Sequence, residues 1–169
     1  MSNKTLRGNT DIFVAYPEAF ANRNAPTAAE LNAATFVTLI SCAVNDDYKL
    51  NRTDSDTDNT QSVCDVASVE TPTFDKYEGM LNLFSDADQT AAGVFNRARD
   101  LFKNKGIEYI IGKRIGVAQG TAFAAGDVIS MYHFKTDNPK DVDAAGSPLQ
   151  LAASFKPQGW SLSEYEVAS

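Results

Sequence analysis

The chain has 169 residues, 43% of them hydrophobic and 22% charged, with a net charge of −7. That length and composition suit one globular domain with a real core and exclude wholesale disorder. The acidic balance repels phosphate backbones, so sequence-reading nucleic-acid binding is disfavoured. No apolar run reaches the roughly 18 residues that a membrane helix needs, so no transmembrane helix is predicted. The opening residues MSNKTLRGNTD carry no apolar h-region, and no secretory signal is expected.

Residues 1–10 are polar and read as a flexible arm. Residues 11–16 (DIFVAY) read as a short strand stopped by Pro17. Thr27, with Glu30 three positions on, forms the pattern of a capping box and predicts a short helix over residues 28–33. Residues 35–44 (TFVTLISCAV) are apolar and rich in β-branched side chains. They predict a strand buried on both faces. Residues 45–62 are the most polar stretch and are expected to be a long acidic loop.

Residues 63–70 alternate, with Val63, Asp65, Ala67 and Val69 on one face, and read as a strand. Residues 74–84 read as another strand, with Tyr77, Gly79, Leu81 and Leu83 on one side. Asp88 is the expected cap of an amphipathic helix over residues 89–104. Its stripe is Ala91, Val94, Phe95, Ala98, Leu101 and Phe102, spaced by threes and fours. Gly106 is expected to end it. Strands are predicted over 107–115 and 127–136, a turn at 137–139 and a loop over 141–148. Residues 149–155 read as a half-buried strand. Pro157, Gln158 and Gly159 are expected to break it, with one more short strand from Trp160. The sum is a mainly β fold, a barrel or sandwich flanked by one amphipathic helix.

The residues offer little chemistry. Asp54, Asp56 and Asp58, with Asp65 further on, resemble a calcium loop. The turn glycine and the final bidentate glutamate are missing, and neither flank reads as a helix. These departures favour an exposed acidic turn. His133 is the only histidine, and a structural or solvent-facing role is expected for it. Cys42 and Cys64 lie in apolar, strand-like surroundings and are expected to be buried thiols, with a disulfide between them as the alternative. Two cysteines and one histidine are too few for a zinc site. No nucleotide-binding loop or nucleophile elbow is present, so neither catalysis nor a cofactor is expected.

Charge is segregated. Residues 54–75 hold six acids and no base, whereas residues 97–114 hold six bases against Asp100 and Glu108. These are either solvated faces or complementary rims of a self-assembling subunit.

The order of segments resembles a known family. PTAAELNA (26–33) precedes an apolar strand. The acidic loop through Asp58, ETPTFDKYEG (70–79) and the helix follow, then FAAGDVISMYHF (123–134) and a closing strand ending FKPQG (155–159). This pattern resembles the major tail protein, or tail tube protein, of long-tailed phages infecting actinobacteria. The resemblance implies hexameric rings stacked into a hollow tube that conducts the genome during ejection. It implies a place in the virion tail after synthesis in the host cytoplasm. The implied partners are further copies of the chain and the tape measure, terminator and distal tail proteins. DNA would pass through the lumen without specific binding. Asp54, Asp56 and Asp58 are then expected at contacts between rings, facing bases such as Arg97 or Arg114. The strand over 127–136 is expected to turn one face to the core and the other to a lumen or neighbour. Rival readings are the tube protein of a contractile injection system, a small β-sandwich binding module dependent on calcium, and a hydrolase built on His133.

Overall fold

A computed structural model describes residues 7–61, 63–64, 70–143 and 148–169. It is mainly β, with one large antiparallel sheet and two short helices. The strands are β1 (Thr10–Ala15), β2 (Val37–Leu39), β3 (Lys49–Thr53), β4 (Thr57–Asp58), β5 (Thr71–Pro72), β6 (Lys76–Phe84), β7 (Glu108–Ile115), β8 (Val128–Thr136), β9 (Lys140–Val142) and β10 (Gln150–Glu166). The helices are α1 (Ala28–Leu31) and α2 (Val94–Phe102).

The large sheet runs β2-β1-β7-β8-β10-β6-β3, with β9 beside β10, and β4 pairs only with β5. β10 belongs to two half-sheets. Its first residues, Gln150 to Ser154, pair with β6, and Phe155 onward pairs with β8. The half-sheets fold over a shared core. Ile12, Val14, Tyr109, Ile111, Tyr132 and Phe134 come from one half, and Leu50, Tyr77, Leu81 and Leu83 from the other. The predicted alternation of β6 is observed, with Tyr77, Gly79, Leu81 and Leu83 all buried. Gly79 is required by a close approach: a Cβ there would lie 2.6 Å from Cζ of Phe134.

The opposite face of β1, β7 and β8 is also covered by the chain itself. Phe13, Ile110, Ile129 and Met131 pack there against Phe20, Leu31, Phe123 and Val167. The expectation that β8 turns one face outward is therefore corrected: Ile129 to Phe134 are all buried. Lateral sheet edges, not that face, remain open.

α1 has the expected capping box. The Glu30 amide donates to Oγ1 of Thr27, and the Thr27 amide donates to the Glu30 carboxylate. α2 is shorter than its pattern suggests and starts at Gly93, not Asp88. The Asp88 carboxylate instead accepts from the amide and hydroxyl of Thr90. Such local bonds compete with helix initiation. Ala98 and Phe102 still enter the core as the stripe predicts, with the Phe102 ring edge-on to Tyr109 and Phe155.

Three other expectations change. Residues 35–44 form a strand only over Val37–Leu39, followed by a 3-10 turn at Ser41–Ala43. Ser41 Oγ accepts from the Ile12 amide at 2.8 Å and draws the chain out of the sheet. The run is apolar because it changes layers: Val37 enters the outer core, Ile40 and Ala43 the inner one. Residues 45–62 are not one loop, because β3 and β4 lie within them. Residues 1–6 of the expected arm lie outside the described residues, while Arg7–Asn9 forms a 3-10 turn. The strand expected over 63–70 falls mostly on residues outside the description, and Val63 and Cys64 lie in a turn.

The third change is at Pro157. β10 does not break there but continues to Glu166 through two register shifts. Proline removes one ladder donor, and bulges absorb the mismatch. The buried Tyr77 hydroxyl closes the gap. It accepts from the amides of Gln158 at 2.9 Å and Trp160 at 3.1 Å, and donates to the His133 carbonyl at 2.9 Å. Tyr77→Phe leaves those amides without their acceptor. It should cost about 1–3 kcal/mol in urea unfolding; an unchanged midpoint would show that the bulge is held by other contacts.

Candidate assembly surfaces

A guanidinium buried under the outer layer organises one end of the sheet. Arg114 on β7 is fully buried and ion-paired with Asp11 on β1 and Asp127 before β8, the latter at 2.7 Å. It also donates to the carbonyls of Thr121 and Ala122, and its guanidinium carbon lies 4.3 Å from the Phe123 ring centroid. Its Nε has no partner among the described residues. Asp11 additionally accepts from the Gly120 amide at 3.0 Å. Residues 116–127, the connection from β7 to β8, are thereby stitched down. The expected role of Arg114 at a contact between rings is corrected: both its charge and its surface are used inside the subunit. Sequence gave no warning, because Asp11 lies 103 positions away.

Arg97 is placed differently. It lies on the exposed side of α2 and lines a cleft of about 330 Å³ with Thr38, Leu39 and Thr121. It thus stands beside β2, one of the two strands that end the sheet order. Around that edge Tyr16, Phe36 and Leu39 are partly bare. The other terminal strand, β3, is polar, with only Leu50 buried. Unpaired strand edges are ready templates for another chain.

β4 and β5 form a separate two-stranded arm between β3 and β6, and all four of its strand residues are exposed. Asp54, Asp56 and Asp58 lie along it. Asp56 pairs with Lys76, and the Asp58 carboxylate accepts from the amide and hydroxyl of Thr60. Those bonds hold Asp58 below the usual carboxylate range. Among the described residues no three Asp, Glu, His or Cys side chains converge. Asp65 lies outside the described residues.

His133 is buried on β8. Its Nε2 is 3.3 Å from a Glu108 oxygen but not aligned for a hydrogen bond. Burial lowers its pKa, partly opposed by Glu108. Among the described residues no hydroxyl hydrogen-bonds to its ring. Cys42 and Cys64 are both exposed, correcting the expectation of burial, and no disulfide joins them. The layer change at Ser41 turns Cys42 outward, where its Sγ lies 3.8 Å from Gln119 Oε1.

The clamp gives two expected outcomes. Arg114→Met leaves the buried Asp11 and the part-buried Asp127 without their cation and should cost about 3–5 kcal/mol, read by urea unfolding. Burial alone would raise the Asp127 pKa. The Ala124 amide and the Arg114 guanidinium outweigh it and hold the group below the ordinary range. A depressed folded pKa stabilises the fold above the unfolded value of about 3.9 and is lost as pH falls through the folded value. Asp127→Asn should therefore flatten the decline of melting temperature below about pH 4. An unchanged slope would place the acid sensitivity elsewhere.

Comparison with known proteins agrees with this picture. A solved chain similar in fold comes from the cryo-EM structure of the anti-feeding prophage baseplate, six-fold symmetrised. The TM-score is 0.53 at 13% identity, covering 96% of this chain and 98% of that one. No curated protein matches. The family described as phage tail tube protein matches residues 1–169. The chain, with its open-edged sheet and acidic arm, belongs to the phage tail tube protein family.

Proposed function

We propose that this chain is the major tail tube subunit of a long-tailed phage, forming hexameric rings that stack into a hollow tube for genome ejection. The observation that carries the reading is a sheet open at both edges in a chain matched along its whole length by the tail tube family. An apolar-flanked β2 edge and a polar β3 edge are different surfaces. Joining one to the other between copies is a heterologous contact, which closes into a ring when the rotation allows. Each pairing would also remove an exposed edge. The net charge of −7 suits a conduit for DNA, since fixed negative charge keeps phosphates from adhering. The partners on this reading are further copies, a tape measure, a terminator and distal tail proteins, with actinobacteria as the host class.

Asp54, Asp56 and Asp58 on the arm, with Arg97 beside β2, are the proposed polar contacts between copies. All four are surface groups, so they serve orientation and register more than raw affinity. A tube protein of a contractile injection system is the second reading. It shares the architecture, and a sheath copurifying with the tube would favour it.

Negative-stain microscopy over a concentration series, with light-scattering mass, tests assembly. The protein carrying Asp54→Lys, Asp56→Lys and Asp58→Lys should stay folded, because all three carboxylates are exposed and the Asp56–Lys76 pair is a surface pair worth about 0–1 kcal/mol. It should nevertheless fail to extend tubes. Tubes of unchanged length would remove the arm from the contact.

A further inference from the structure

The second half-sheet does not cover the whole inner face of the first. Beyond Tyr132, the ends of β7 and β8 that carry Ile115 and Val128 are left bare. A cleft of about 730 Å³ opens there, lined by Arg52, Lys113, Ile115, Val128, Ser163 and Glu164 among others. Ile115 is 50% exposed and Val128 48%, so the floor is apolar and bare. Two cations flank it. Lys113 is half-withdrawn from water and donates from Nζ to the Leu50 carbonyl at 2.7 Å. Arg52 spends its guanidinium on the Ser161 hydroxyl. Neither forms an ion pair among the described residues, and Glu164 on the rim pairs with neither. Glu164 sits at a β10 bulge with φ of 50°, a backbone conformation that costs energy in a non-glycine residue.

The arm has the complementary character. Residues 54–75 contain no lysine or arginine, and Asp54, Asp58, Glu70 and Asp75 are exposed. On its stem Phe74 is 76% exposed, although the backbone around it is bonded: the Asp56 amide donates to the Phe74 carbonyl and the Thr73 amide to the Asp56 carbonyl. A bare aromatic on an acidic stem suits a bare aliphatic floor between two cations that have no ion pair among the described residues.

We propose that this cleft is the socket for the arm of a second copy, with Phe74 as its anchor. The inference rests on the tube reading and names the surface that receives the arm. The chain does not fill its own cleft, since its Phe74 remains bare. The arm starts from Thr53, next to Arg52 on the cleft wall. Arm and socket are different surfaces, and the contact is therefore heterologous. It propagates into rings or stacks instead of closing as a pair.

Cross-linking between copies tests the socket. In a Cys42→Ser, Cys64→Ser background, copies carrying Asp75→Cys are mixed with copies carrying Ser163→Cys, which leaves Phe74 and the apolar floor intact. A short bis-maleimide should give a covalent dimer at least tenfold above a control mixture using Lys140→Cys on β9. Phe74→Ser should lower sedimentable assembly at least tenfold with an unchanged melting temperature. Hollow assemblies with no cross-link above control would overturn the socket and leave the tube reading standing. Absence of both would overturn both. Full assembly of Phe74→Ser would remove the anchor.

Discussion

One strand belonging to two half-sheets is the constraint on which this fold depends. β10 pairs with β6 over its first residues and with β8 thereafter, and Tyr77 bonds the amides that this change of partner leaves over. Without that phenol, the amides of Gln158 and Trp160 would lose their acceptor where β10 changes partner. With it, the half-sheets close over Leu81, Leu83, Ile111 and Phe134, and α2 contributes Ala98 and Phe102 to the same core. Everything proposed as an assembly surface lies outside this closed body: two edges, an arm and an uncovered cleft.

The second constraint is electrostatic. Arg114 holds residues 116–127 against the outer layer through Asp11, Asp127 and two carbonyls. Buried ion pairs do little for net stability compared with apolar packing, but breaking one is expensive. Their use here is positional: a glycine- and alanine-rich connection of low intrinsic order is kept in one place beside the β2 edge. Charge is thus divided between an internal clamp and external groups, and only the external ones are available to another copy.

Local signals were legible in the sequence. Thr27 and Glu30 lie within one turn, and the alternation of β6 and the strands β7 and β8 follow from neighbouring residues. What could not be read depended on distant partners. The acceptor for Gln158 is Tyr77, 81 positions earlier, so the Pro157 segment looked like a break. Arg114 looked like one of a run of surface bases because its carboxylates come from other strands. Residues 35–44 looked like a strand because apolar content does not distinguish a double-faced strand from a chain changing layers. For the candidate surfaces, the exposure of the acidic residues was legible, but the cleft was not, because it brings Arg52 of β3 together with Lys113 of β7 and Glu164 of β10.

Family membership and open edges together make assembly the central claim, and the most direct measurement is a cryo-EM map of the assembled protein at side-chain resolution. The account predicts a hollow six-fold tube in which β2 of one subunit is hydrogen-bonded to a strand edge of its neighbour. A particle without a lumen, or a tube in which the β2 and β3 edges both remain open to solvent, would contradict it.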